Sequence, residues 1–105
     1  MFMIVFSISQ PVYAGAVRLI NPTDNKETAI LKLIDKDDWL YTVEAKAGET
    51  TAANIPNGTY RWLVECPKGT IVGGEAEYKD GKWHILSKVV ISDEQAWEWV
   101  VKTQP

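Results

Sequence analysis

Downstream of its first fourteen residues the chain alternates short β-rich runs with clusters of Gly, Pro, Asn and Asp, at a spacing of about ten residues. The runs predict eight strands: Ala16–Ile20, Glu27–Asp35, Trp39–Lys46, Thr50–Ile55, Thr59–Cys66, Thr70–Tyr78, Lys82–Ile91 and Ala96–Lys102. The joins, among them Asn21-Pro22-Thr23-Asp24-Asn25, Pro56-Asn57-Gly58 and Asp80-Gly81, carry residues that favour turns because they accept left-handed backbone, fix φ or bond their own main chain.

Alternation with a period of two assigns faces. Tyr60, Trp62, Val64 and Cys66 share one face of their run, while Arg61, Leu63 and Glu65 share the other. Ala29, Leu31 and Leu33 stand opposite Lys32, and Trp39, Tyr41 and Val43 stand opposite Thr42 and Glu44. These three faces supply most of one core, with Trp39 and Trp62 directed into it. The last run is preceded by Ser92-Asp93-Glu94-Gln95, which would suit a helix cap, but Trp97 to Lys102 alternates and is rich in strand formers, so a strand is predicted. The expected fold is all-β: a small antiparallel β-sandwich of about seven to eight strands, prealbumin-like or immunoglobulin-like in architecture.

The first fourteen residues differ in kind. They carry no charge, Met1 to Ile8 is almost wholly apolar, and Val12-Tyr13-Ala14 places small residues where a signal peptidase needs them. A basic n-region is missing. Residues 1–14 are therefore expected to be an export signal, leaving 15–105 as one domain in the periplasm or outside the cell; a first buried strand is the alternative. The apolar run is shorter than the roughly 20 residues a membrane helix needs, so no stable membrane insertion is expected. Cys66, the single cysteine, lies far from the cleavage point and allows neither a lipid anchor there nor an internal disulfide.

At 105 residues the chain has length for one core, and its 46% hydrophobic and 24% charged residues are a globular balance. The net charge is -3 and the cations are scattered, which leaves no footprint for a nucleic-acid backbone. Five tryptophans are the unusual feature.

The stretch Ala47-Gly48-Glu49-Thr50-Thr51-Ala52-Ala53-Asn54-Ile55-Pro56-Asn57-Gly58-Thr59-Tyr60 resembles the "aGxxt…ipxGxY" stretch of prealbumin-like domains, which include carboxypeptidase regulatory-like, Cna-B-type and PEGA-type modules. The resemblance implies a β-sandwich serving as a spacer, stalk or interaction unit of a secreted or surface protein. It implies no catalysis.

Candidate chemistry is sparse. A nucleophile-base pair would need Cys66 and His84 to meet, and nothing in their spacing brings them together. The same two residues do not complete a zinc set. Asp35, Asp37 and Asp38 lack the further oxygen ligands and glycine of a calcium loop, so a solvated turn is expected. Glu75 and Glu77 read as charges that blunt a sheet edge, and Gly73-Gly74 lacks the lysine and helix of a phosphate loop. Asn57-Gly58-Thr59 matches a glycosylation sequon but is also a tight-turn sequence. No cofactor, metal site or catalytic residue is assigned. The expected function is an exported, non-catalytic interaction or structural module whose partner is a protein or polysaccharide. The alternative is a small carbohydrate-binding protein using flat aromatic faces, with Trp97, Trp99 and Trp83 as its ligand-binding residues and the first two partly exposed.

Overall fold

The computed structural model describes residues 14–22 and 25–101. The expected export segment, apart from Ala14, lies outside the described residues. Ten strands form: β1 (Ala14–Ile20), β2 (Ala29–Ile34), β3 (Leu40–Ala45), β4 (Thr50–Pro56), β5 (Gly58–Glu65), β6 (Ile71–Gly73), β7 (Ala76–Lys79), β8 (Lys82–Ile85), β9 (Lys88–Ile91) and β10 (Trp97–Val100). Among the described residues there is no helix, hence none long and apolar enough to cross a membrane.

Two sheets make the sandwich. In the smaller, β1 lies between β4, antiparallel to it, and β10, parallel to it. The larger has the order β3-β2-β5-β6, and β5 also pairs with β9. One edge of β5 takes β2; its other edge takes β9 over Gly58 to Arg61 and β6 at Val64 and Glu65, with a bulge between those two residues. The core lies between the sheets. Val17, Leu19, Ile55 and Trp99 from one meet Leu31, Leu33, Val43, Tyr60 and Val64 from the other, all buried. Burying aliphatic side chains of this size stabilises by roughly 1.5–3 kcal/mol each.

The chain passes from one sheet to the other between β4 and β5, through Pro56-Asn57-Gly58. There the Tyr60 hydroxyl donates to the Pro56 carbonyl at 2.6 Å, fixing the angle of entry into β5 as the tyrosine corner does in other sandwiches. Asn21, a fully buried polar residue, secures the opposite end: its amide donates to the carbonyls of Glu27 and Ala45 at 2.8 and 2.9 Å and accepts from Asn25 at 2.7 Å. At Gly15 a Cβ would lie 2.5 Å from the Ser92 carbonyl oxygen, so β1 approaches the β9–β10 connection more closely than a side chain permits.

The all-β sandwich is the expected fold, with two strands more than expected. Thr70–Tyr78 and Lys82–Ile91, each expected as one strand, are both broken in two. Gly74, with φ of 88°, turns the chain out of the sheet between β6 and β7, and Leu86-Ser87 returns it between β8 and β9. The β7–β8 hairpin thus stands apart as a two-stranded sheet. Faces are largely as expected: Ala29, Leu31 and Leu33 are fully buried, as are Tyr60, Val64 and Cys66 to within a few per cent. Trp39 departs from expectation. It is 64% exposed, because it precedes β3 and overhangs the end of the core.

Candidate functional site

The outer face of the five-stranded sheet should be polar if water alone met it. It is mixed. β5 presents Leu63 between Arg61 and Glu65, β2 presents Lys32 and Ile34, and β3 presents Leu40. The charges pair across strands: Lys32 with Glu65, and Arg61 Nη2 with Asp38 Oδ1 at 2.6 Å. Asp38 is placed for this by the turn before it, in which the Asp35 carboxylate accepts the N–H groups of Asp37 and Trp39, both at 2.8 Å. The acidic cluster is a turn in which the Asp35 carboxylate serves the backbone and that of Asp38 serves Arg61.

Over this face lies the β7–β8 hairpin. Its Asp80-Gly81 turn has both residues at positive φ, 52° and 80°, which matches the twist of a two-residue hairpin. Cross-strand pairs Ala76 with Ile85 and Tyr78 with Trp83 share one face; Glu77 with His84 and Lys79 with Lys82 share the other. The hairpin is therefore amphipathic. Two hydrogen bonds close its base, Leu86 N–H to the Glu75 carbonyl (2.8 Å) and Glu75 N–H to Ser87 Oγ (3.0 Å), and a third, Trp62 N–H to the Ser87 carbonyl (3.0 Å), ties it to the sheet. Gly74 packs on Trp62, its missing Cβ only 3.1 Å from the Trp62 carbonyl oxygen.

Between hairpin and sheet runs a groove of about 680 Å³. Its walls are Ala76, Trp83 and Ile85 on the hairpin side and Ile34, Leu40, Leu63 and Ile71 on the sheet side, with the two ion pairs at its margin. Leu63 is only 7% exposed although it sits on the outer face, whereas Leu40 and Trp83 are 50% and 64% exposed. A neighbouring apolar patch includes Tyr78, whose ring meets Trp83 edge-on at 5.3 Å.

The three expected ligand-binding tryptophans are not brought together. Trp83 lines the groove. Trp97 and Trp99 lie on β10 opposite Val17 and Leu19, facing inward. Trp99 is buried, contrary to its expected exposure, because it stacks edge-on against Trp62 at 5.6 Å and fills the core. Trp97 is half-buried and donates its indole N–H to the Val90 carbonyl at 2.9 Å. A second cleft of about 350 Å³ opens beside Trp62 and Trp99, where β6 and Gly73-Gly74 face β10.

No family model, curated protein or solved structure matches this chain. The groove's residues therefore carry the functional argument. Cys66 is buried in the core, and burial, with Glu27 and Glu65 nearby, pushes its thiol pKa up, away from the reactive thiolate. His84 sits on the polar face of the hairpin, its Nε2 3.2 Å from the Lys79 carbonyl. Leu40, Leu63, Ile71 and Ile85 went unrecognised as site residues in the sequence. A signal existed in Leu63, an aliphatic side chain alternating with two charges on the face expected to meet water, and in apolar Ala76, Tyr78, Trp83 and Ile85 placed symmetrically about the Asp80-Gly81 turn.

Proposed function

We propose that this chain is an exported, non-catalytic β-sandwich module of prealbumin-like type that works by binding, with the groove beneath the β7–β8 hairpin as its docking face. The observation that carries the reading is the open apolar surface where the hairpin meets the sheet: Leu40, Ile71, Tyr78 and Trp83 are all more than one-third exposed and adjoin the groove. Contiguous apolar surface of this kind on a small domain marks an interaction site. The ion-paired charges at its margin fix the sheet side without demanding a charged ligand. Cleavage of an export signal before Gly15 would remove one residue of β1, leaving Val17 and Leu19 in the core.

A carbohydrate ligand is the second reading, and the exposed Trp83–Tyr78 pair favours it, since an indole face suits the apolar face of a sugar ring. On this reading Trp83 is the binding residue, and Trp97 and Trp99, on the other sheet, are outside the groove.

The test is a fluorescence titration with the neutral dye Nile red. The wild-type protein should bind it with a blue shift, and Trp83→Ala should lose most of that signal while remaining folded. Equal dye binding by both proteins would remove the groove as the docking face.

A further inference from the structure

We infer that the groove takes an extended, uncharged peptide segment of a protein partner, about six residues long, through alternate aliphatic side chains. The inference rests on the groove's being the docking face and names what it holds. Three features of the groove select this occupant.

The first is its direction. The sheet-side wall runs from Leu40 on β3, across Ile34 on β2 and Leu63 on β5, to Ile71 on β6, so it crosses four neighbouring strands. Ile34 is in register with Leu40, but Leu63 is in register with Lys32 and Ile71 with Glu65, so the wall runs diagonally. Three inter-strand spacings and a four-residue shift along the strands make about 20 Å, which an extended chain covers in about six residues at roughly 3.3 Å each. A single sugar ring or small aromatic would contact only part of that length. The second is its chemistry: apart from one indole the apolar walls are aliphatic, which suits aliphatic side chains better than stacked rings. The third is charge. Lys32 pairs with Glu65 and Arg61 with Asp38, so the margin presents matched charges and complements a neutral segment; a charged segment would have to break a pair to gain one. The open side lets the peptide's own N–H and C=O groups stay hydrated or bond the unpaired strand edges of the hairpin.

Displacement of Nile red tests the inference, using an acetylated and amidated peptide of alternating leucine and threonine, about six residues long. It is compared with its half-length version, with its leucine-to-aspartate counterpart, with decanoic acid and with cellohexaose. The expected result is displacement by the longer peptide alone. Measured without the dye, by isothermal titration calorimetry, its affinity should fall by about tenfold in both Trp83→Ala and Leu40→Ser, which lie at opposite sides of the groove and are both exposed, so that either variant stands in if the other fails to fold. Displacement by decanoic acid or cellohexaose but not by the peptide overturns the peptide while leaving the groove as a binding face. Equal displacement by the half-length peptide overturns the length argument and the inference with it. If wild-type protein does not bind Nile red at all, the groove reading itself fails.

Discussion

The tryptophans sort into classes by what each ring touches. Trp99 closes the core against Trp62, while Trp83 is 64% exposed. Trp99→Ala should therefore destabilise by about 3–5 kcal/mol, and Trp83→Ala by about 0.5 kcal/mol, in the same denaturant series. Comparable losses would mean the hairpin is part of the core rather than a wall of the groove. Tyr60 holds the crossing between the sheets, and Tyr60→Phe, which keeps the ring and removes the bond to Pro56, should cost about 1 kcal/mol. Burial raises the pKa of Tyr60 above its ordinary 10.0, helped by Tyr41 and Asp35, and that of Cys66 above its ordinary 9.0. A raised pKa means the folded state favours the neutral, protonated form. The stability each contributes is thus complete below the ordinary value and is lost as pH rises through the folded one. Stability should begin to fall above pH 9.0 in the wild type, and Cys66→Ala should flatten the first part of that fall in a pH series of chemical denaturations. An unchanged profile would show that the thiol does not couple to folding.

The hairpin is the element on which the site depends, and Gly74 is what sets it. With φ of 88° and Trp62 backbone 3.1 Å from the position of a Cβ, Gly74→Ala should cost roughly 1–3 kcal/mol and displace the hairpin from the sheet. Loss of amide-exchange protection confined to β7 and β8 would be its signature; wild-type protection there would show that the turn tolerates a side chain. The same residue explains what the sequence does and does not disclose. β2 and β5 are legible because alternation along them contrasts aliphatic with charged side chains, and that contrast is local. Thr70–Tyr78 and Lys82–Ile91 read as unbroken strands because Gly74 and Ser87 end pairing through contacts with Trp62, which is distant in sequence. Trp39 misleads for a related reason: its parity matches Tyr41 and Val43, yet parity does not say where the core stops. The groove gathers side chains from six strands, so no window of sequence contains it.

For the molecule as a whole, sheet order divides the work. The inner faces of the two sheets build a core that is closed by aliphatic packing and the Tyr60 and Asn21 bonds, which frees the outer face of the five-stranded sheet to carry the hairpin. The proposed export rests separately on the first fourteen residues: if it is right, protein recovered from the exported fraction has an intact mass starting at Gly15, and a retained Met1 would contradict it. That a groove on the outside of the sandwich, and not the cleft beside Trp62 and Trp99, is where this protein binds is tested most directly by mapping methyl and indole NMR shifts during the Nile red titration. Shifts at Leu40, Leu63, Ile85 and Trp83, with Leu19, Ile55 and Trp99 unmoved, are predicted. Shifts centred on Trp62 and Trp99, with the hairpin silent, would contradict it.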